Sequence, residues 1–339
     1  MLQTLATHNG TQNSSAMISW FIDQAKAPLR MDEKSVAGHR YFLCSSGFQD
    51  EVGFVSVCGR GLTKVEAATR CIGEWLERKA AFEFFRSKPS SIWAQAIGID
   101  PSGKLSISSR RESYNPLLME FWTTNGWAIH TDQHRSIENA LSEALERSLL
   151  VSSFLRWRWQ GFIEIGKLSI TGMGIHSCLS RYRTETTTAG FAICTNPVTQ
   201  GLSFGHFSEA TDSLRQSSKW AQALYEAVDK LGADIAFGSN QDPLAAETLW
   251  YMSGKTDFCL SDDRQDQEKI KFSSCCLHSI DLAKKWDLPF PLFASFVFGG
   301  DLMPLFVPRQ LTEDGRKYVI AQANSLGFDP VIPERMPVL

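Results

Sequence analysis

The sequence lacks the features that mark nucleic-acid-binding, secreted and membrane-spanning proteins. Lys and Arg number 34 against 37 Asp and Glu, for a net charge of −3, whereas proteins that bind nucleic-acid phosphates usually carry a basic excess. The first residues (MLQTLATHNG) offer neither the basic start nor the apolar run of a signal peptide. No span of 18 apolar residues follows that could form a transmembrane helix. We therefore expect a cytoplasmic protein that has neither a nucleic-acid nor a membrane partner.

The cysteines are too scattered to form a disulfide framework. The chain has eight of them over 339 residues and no CxxC pair, so neither a disulfide-rich scaffold nor a zinc ribbon is predicted. Cys275, Cys276 and His278 form the one tight Cys/His cluster. Because adjacent residues of a strand or helix point in different directions, we interpret these residues as core positions rather than a zinc site.

Hydrophobic residues make up 43% of the chain, which is enough for a sizeable buried core. The hydrophobic pattern predicts strands within residues 39–58 and helices over residues 63–85, 136–159 and 210–231. It also predicts a late strand pair within residues 295–311. Helices and strands alternate irregularly, which is typical of a mixed α/β (α+β) fold.

No linker divides the chain at the level of sequence. We therefore treat residues 1–339 as a single unit. Its N-terminal residues 1–37 form a polar lead-in, and residues 329–339 form a tail that contains proline.

One motif occurs three times, each time within a predicted helix. Residues 70–78 (RCIGEWLER) align without gaps on residues 139–147 (NALSEALER) and more loosely on residues 222–230 (QALYEAVDK). Each copy has a polar residue, an acid four positions later, a second acid three positions beyond that, and then a base. Positions i, i+4 and i+7 fall within one arc of a helix, so the acids of each copy are predicted to share a face opposite the apolar residues.

The repeated acids indicate a magnesium site, although the solvated face of an amphipathic helix is an open alternative. Two acidic faces brought together repel each other and raise carboxylate pKa values unless a cation lies between them. Magnesium prefers hard oxygen ligands and commonly bridges carboxylates to phosphates. The nucleotide site would then lack a P-loop, because residues 161–168 match GxxxxGK but have Leu168 in place of the required hydroxyl.

The first two copies lie in segments that resemble the YcaO family. A glycine–basic–glycine turn at residues 59–61 opens a helix with Glu-x-x-Glu-Arg, the arrangement of the family's signature. The family's second helix has Asn followed by acidic or amide residues at +4 and +7, and Asn139 with Trp157 or Trp159 downstream matches it. Residues 221–227 resemble an alanine-rich segment of a third family helix, and the proline-rich end resembles the family's terminus.

The resemblance implies roles for individual residues. Catalysis and magnesium binding would fall to the four glutamates of the first two copies, Glu74, Glu77, Glu143 and Glu146. Nucleotide binding would fall to Arg70, Arg78, Asn139, Arg156 and Arg309. For Arg156 and Arg309 the alternative is a surface ion pair.

The sequence departs from the family pattern at several positions. Arg70 stands where a serine is expected, which could alter a phosphate contact, and Arg60 replaces a common lysine. The tail has prolines at Pro330, Pro333 and Pro337 instead of the regular PxPxP of the cyclodehydrating members. These departures leave the exact reaction open.

The resemblance implies an enzyme of YcaO-like fold, in which helices with paired glutamates pack on mixed sheets. With ATP and Mg²⁺ it would activate backbone amides of a ribosomally made precursor peptide by O-phosphorylation. Azolines from Cys, Ser or Thr are the expected products, and thioamides or amidines are the alternative. A separate leader-binding protein of the E1-like or ocin-ThiF-like kind is implied. The chain itself would be a homo-oligomer or a part of a multi-subunit synthetase. A scaffold or regulatory subunit with a degenerate ATP site and an unrelated metal-dependent hydrolase remain as rival interpretations.

Overall fold

The structure is a computed structural model with two compact units, each built from several segments of the chain. One unit comprises residues 1–90, 126–141 and 278–297, and the other comprises residues 91–125, 142–277 and 298–339. The structure describes residues 15–25, 27–36, 39–50, 53–87, 91–99, 105–114, 125–157, 163–166, 174–183, 187–195, 202–210, 223, 226–227, 274–303, 306, 308 and 311–334.

The first unit contains a three-stranded antiparallel sheet in which β2 is the central strand. Its strands are β1 (Arg30–Val36), β2 (His39–Asp50) and β3 (Gly53–Gly61). Along β3, the buried residues Val55 and Val57 alternate with the exposed residues Phe54, Ser56 and Cys58. This period of two places one face of the strand in the core, as the strand pattern of residues 39–58 predicts.

Helix α1 (Lys64–Arg86) follows β3 directly and begins at a well-formed cap. The hydroxyl of Thr63 accepts a hydrogen bond from the Glu66 amide at 3.1 Å, and the Glu66 carboxylate accepts one from the Leu62 amide at 2.9 Å. These bonds satisfy amides at a helix start, where backbone donors otherwise lack partners. The expected helix start is confirmed, and α1 buries an apolar face: Ala67, Ala68, Cys71, Ile72, Trp75, Leu76, Ala80, Ala81 and Phe85.

Residues 15–25 are helical, and two further strands and a short helix also contribute to the first unit. Strand β6 (Trp127–His130) pairs antiparallel with β12 (Phe293–Phe298), and α3 spans Leu282–Trp286. The rings of Trp127 and Phe296 stack with centroids 4.9 Å apart. Close packing of two large buried aromatic rings stabilises the strand pair beyond its backbone hydrogen bonds.

Helix α2 (Gln133–Trp157) begins in the first unit and continues in the second. The hydroxyl of Ser136, near its start, is fully buried and lies 3.0 Å from the Ala128 carbonyl, 3.2 Å from the Phe293 carbonyl and 2.9 Å from the Ser295 hydroxyl. Ser136 therefore ties the start of α2 to both β6 and β12.

The second unit contains two groups of antiparallel strands and helix α4 (Glu313–Ser325). In one group β4 (Ile92–Ile99) pairs with both β5 (Leu105–Tyr114) and β11 (Ser274–Asp281). The other group is a four-stranded sheet in the order β10-β9-β8-β7. Its strands are β7 (Ile163–Gly166), β8 (Gly174–Arg183), β9 (Thr187–Thr195) and β10 (Leu202–Ala210).

Two predictions of secondary structure, a late strand and a helix, need correction, and the described residues test the helix only in part. The second strand expected within residues 295–311 does not form in the described residues, because the chain turns at Gly299 and Gly300, which have φ values of 66° and 61°. The helix expected from residue 210 does not include Ala210, which belongs to β10. Beyond it, residues 223 and 226–227 are helical and the rest of that segment, including Asp229, lies outside the described residues.

Candidate functional site

The first pair of glutamates lies on α1, on the side away from its apolar face. Glu74 and Glu77 are both partly exposed, while Trp75 and Leu76 between them are buried. The sequence pattern predicts this arrangement, and the structure confirms it. Arg78 closes the motif by donating from Nε to Glu74 Oε1 at 2.6 Å, across one helical turn.

Arg78 is electrostatically linked to both acids. Burial alone would lower the pKa of Arg78, but the charge and hydrogen bond of Glu74 and the charge of Glu77 outweigh it and raise the pKa. The guanidinium is therefore a fixed positive charge next to two carboxylates. With one cation for two anions, these three side chains carry a formal net charge of −1.

The second pair lies on α2 with a similar arginine. Arg147 lies 3.8 Å from Glu143 and 3.5 Å from Glu146. Its Nη1 atom is buried and makes no hydrogen bond with any residue in the described part of the chain. The contact with Glu146 is thus an ion pair without hydrogen-bond geometry, unlike the close Arg78–Glu74 bond.

Glu146 is buried, although its position in the motif predicts the solvent-exposed face of α2. Glu146 is 9% exposed, whereas the neighbouring apolar residue Leu145 is only partly buried. Asn139 is exposed and Glu143 is partly exposed, as the pattern predicts. The arc that α2 buries is therefore rotated toward Glu146, and the neighbouring Arg147 compensates the charge of this buried acid.

Arg70, which the resemblance places at the nucleotide, has structural partners. Its Nη2 lies 2.6 Å from Glu66, and its Nη1 donates to the backbone carbonyl of Arg60 at 2.9 Å. Arg70 thus ties the start of α1 to the end of β3. The turn expected at residues 59–61 is wrong, because these residues pair with β2 as part of β3. The close approach of β3 to the helix is visible at Gly59, where an added Cβ would lie 2.2 Å from the Cys71 amide nitrogen.

The division between the two units falls within α2, between Leu141 and Ser142. Glu74, Glu77 and Asn139 belong to the first unit, and Glu143 and Glu146 belong to the second. Within the part of the chain that the structure describes, no three Cys, His, Asp or Glu side chains form a group that could hold a metal ion.

Two of the candidate arginines cannot be placed. Arg309 lies outside the described residues, and for Arg156 only the backbone of α2 is described. Their proposed phosphate contacts stay predictions.

The donor set on each helix is chemically suited to magnesium. Carboxylate oxygens are the ligands that Mg²⁺ prefers, and one arginine leaves each pair of glutamates with residual negative charge. The metal ligands expected from the sequence, Glu74 and Glu77 on α1 and Glu143 and Glu146 on α2, stay predictions.

The structure brings together residues that the sequence did not connect. The Cys44 and Cys71 thiols are fully buried, and their mutual hydrogen bond lowers the pKa of Cys44 and raises that of Cys71. Nothing in the spacing of these two residues signals the contact. Cys275 and Cys276 are buried, as expected for core positions, and burial raises the pKa of Cys275 to about 12.

Neither a protein-family model nor a curated protein sequence matches the chain. Several solved structures do resemble it. A chain of the E. coli microcin synthetase McbBCD complex with pro-MccB17 bound is 10% identical, with a TM-score of 0.55, and the match covers 84% of this chain and 90% of that one. A heterocyclase in complex with substrate and cofactor is 14% identical, with a TM-score of 0.50 and coverage of 91% and 54%. This chain shares their fold.

The present chain spans about half the length of the heterocyclase. YcaO from Methanopyrus kandleri bound with AMPPCP and Mg²⁺ is 13% identical over 84% of this chain and 89% of that chain, but its TM-score of 0.45 supports no argument. The mixed α/β fold predicted from the sequence is confirmed. Among the described helices, none is both long and apolar enough to cross a membrane.

Proposed function

We propose that this chain uses ATP and Mg²⁺ to activate backbone amides of a precursor peptide. The observation that carries the proposal is the matched set on α1 and α2, where each Glu-x-x-Glu pair has an adjacent arginine and residual negative charge. The fold adds support, because the similar structures include a synthetase with pro-MccB17 bound and a heterocyclase with substrate and cofactor. Cyclodehydration of Cys, Ser or Thr to an azoline is the proposed reaction.

The chemistry requires positioning and charge neutralisation more than an enzyme nucleophile. A Cys, Ser or Thr side chain of the peptide attacks the preceding carbonyl carbon, and the former carbonyl oxygen then takes the γ-phosphoryl group of ATP. Departure of phosphate and loss of the amide proton leave the azoline, so the peptide loses the elements of water while ATP becomes ADP and phosphate. Bound Mg²⁺ would neutralise charge on the phosphates during this transfer.

The residues of the chain divide this work. Glu74, Glu77, Glu143 and Glu146 would hold the metal, and Asn139 would contact the metal or the nucleotide. Arg78 and Arg147 limit the repulsion between the carboxylates of each pair. Arg70 is proposed here as a structural residue, since Glu66 and the Arg60 carbonyl already engage its guanidinium.

The incoming nucleophile would decide between products. A sulfur or nitrogen nucleophile in place of the peptide side chain would convert the same activated amide into a thioamide or an amidine. The irregular spacing of Pro330, Pro333 and Pro337 keeps these products as alternatives.

A leader-binding protein is the proposed partner. One of the similar structures is a synthetase complex with pro-MccB17 bound, which supports the proposal of a partner. We propose that a separate E1-like or ocin-ThiF-like chain recognises the leader. The purified chain alone should then hydrolyse ATP slowly and modify peptide poorly, and adding that partner should raise both rates.

A second candidate is a non-catalytic subunit of a synthetase. The observation that favours it is again Arg70, which stands at an expected serine position and is bound to protein atoms rather than available to phosphate. In that case the chain would bind the partner and the peptide without using ATP.

One experiment separates these candidates and the rival hydrolase. The chain is incubated with ATP, Mg²⁺, the leader-binding partner and precursor peptide, and peptide mass is followed. A loss of about 18 Da that depends on ATP supports cyclodehydration. Two fragments whose masses sum to that of the peptide plus one water indicate hydrolysis, and a replacement of oxygen by sulfur indicates thioamide formation. No mass change together with no ATP turnover would favour the non-catalytic subunit.

The site assignment has a matched pair of variants. Glu74→Gln should abolish Mg²⁺-dependent ATP binding because a neutral amide is a poor magnesium ligand, while Glu66→Gln should not. Glu66 lies on the same helix and also pairs with an arginine at 2.6 Å, but it caps the helix start, a role that Gln can fill. Equal ATP affinity in wild type, Glu74→Gln and the corresponding Glu143→Gln variant would refute the site.

A further inference from the structure

Arg78 is the base that ends the α1 motif, and its charge interacts with both acids of the motif, Glu74 and Glu77. Its Nε lies 2.6 Å from Glu74 Oε1, and Glu77 adds a second attractive charge. The side chains of Arg78 and Glu74 are 34% and 32% exposed, so the pair is reachable from solvent. A metal that used Glu74 as a ligand would have to share this carboxylate with the guanidinium or displace it.

Arg70, two turns earlier on the same helix, provides a contrast. It makes an ion pair of the same length, 2.6 Å, with the acid four residues before it. Arg70 also donates to a backbone carbonyl, and Glu66 itself accepts from a backbone amide. Arg78, by contrast, makes its hydrogen bond among the described residues to the Glu74 side chain. One arginine fixes a helix start, and the other neutralises a proposed metal ligand.

We propose that Arg78 competes with Mg²⁺ for Glu74 and thereby keeps the metal affinity of the α1 glutamates low. The inference rests on the proposed function, because it takes Glu74 and Glu77 to be metal ligands. A fixed positive charge repels a divalent cation and holds one carboxylate oxygen in a competing hydrogen bond. The metal would then be taken up together with nucleotide phosphates, which supply the missing negative charge, rather than held permanently by the protein.

The measurement is binding of the metal alone, without nucleotide. Mn²⁺, used as a paramagnetic probe of the Mg²⁺ site, is titrated at low ionic strength into wild type, Arg78→Met and Arg70→Met, and free Mn²⁺ is read by electron paramagnetic resonance. Removing one unit charge about 5 Å from a divalent ion should tighten binding on the order of tenfold, even with water-like screening. Arg70→Met removes a charge that is paired with Glu66, which is not a proposed ligand, so it should tighten Mn²⁺ binding less than Arg78→Met does.

A conservative variant and a salt series separate competition from damage to the fold. Arg78→Lys retains the charge and should bind Mn²⁺ close to the wild-type affinity, and it also serves if Arg78→Met fails to fold. The gain in Arg78→Met should shrink as salt increases, since salt screens exposed charges. Equal or weaker Mn²⁺ binding by folded Arg78→Met, or a tenfold gain in Arg78→Lys, would overturn the inference.

Glu74→Gln distinguishes this failure from failure of the proposed site. If Glu74→Gln lowers Mn²⁺ binding while Arg78→Met leaves it unchanged, the metal site stands and the role of Arg78 is wrong. If neither variant changes Mn²⁺ binding, the glutamates of α1 are not metal ligands, and the proposed function loses its site as well.

Discussion

Replacing Gly59 by alanine tests how closely α1 packs on the preceding strand, β3. An added Cβ would lie 2.2 Å from the Cys71 amide nitrogen and 2.4 Å from the Ala67 carbonyl oxygen. Both are backbone atoms of α1, and they cannot swing aside as a flexible side chain could. The helix would have to move away from β3, and Glu74 would move with it.

The expected cost follows from two opposing effects. Overpacking a core position typically destabilises a protein by about 1–3 kcal/mol. Changing Gly to Ala also lowers the conformational entropy of the unfolded chain. This effect stabilises the folded state by about 0.4–1 kcal/mol where the backbone is compatible with alanine. We therefore expect Gly59→Ala to lower the free energy of unfolding by about 1–2 kcal/mol.

Gly73→Ala is the matched control on the same helix. Apart from its chain neighbours and the nearby backbone of α1, no atom lies within 4 Å of the Cβ that this change would add. Gly is a poor helix former, so a gain of roughly 0.5–1 kcal/mol is expected. Urea unfolding followed by the fluorescence of the 10 tryptophans measures both variants. If Gly59→Ala were as stable as wild type, the close approach of β3 to α1 would be refuted.

Three other changes test separate features. Ser136→Ala should cost about 1–2 kcal/mol in urea unfolding, because it removes a buried hydroxyl that lies within hydrogen-bond distance of two carbonyls and the Ser295 hydroxyl; stability equal to wild type would contradict this. Burial, aided by the charge of Arg135, lowers the pKa of His130, so its neutral form is favoured on folding. Stability should then fall as the pH drops below the ordinary histidine pKa of about 6.5, and the loss should be smaller in His130→Gln. Deleting residues 336–339, which lie outside the described residues, should reduce peptide modification but spare ATP binding; modification at the wild-type rate would show that the tail is only structural cover.

The features that could be predicted from the sequence are those that local periodicity determines. The exposed positions of Glu74 and Glu77 follow from the 3.6-residue helix repeat, and the start of α1 follows from Thr63 and Glu66. Neither requires knowledge of any contact distant in the chain.

The features that could not be predicted depend on distant or neighbouring elements. Ser136 and Ser295 lie 159 residues apart, and no pattern in the sequence connects them. The burial of Glu146 depends on which elements cover α2, which periodicity alone does not reveal. The second strand that we expected within residues 295–311 contains Pro304 and Pro308. These prolines argue against a strand, because proline lacks the amide that a strand interior needs.

The segmented first unit has a consequence for synthesis on the ribosome. Its last segment, residues 278–297, includes most of β12, the strand that pairs with β6 and stacks Phe296 on Trp127. Until that segment leaves the ribosome, Trp127 lacks its stacking partner and β6 lacks β12. A nascent chain therefore carries exposed apolar surface for most of its translation, and such surface promotes aggregation. Chains truncated before residue 278 should depend on chaperones or be degraded, even though they contain all four candidate glutamates.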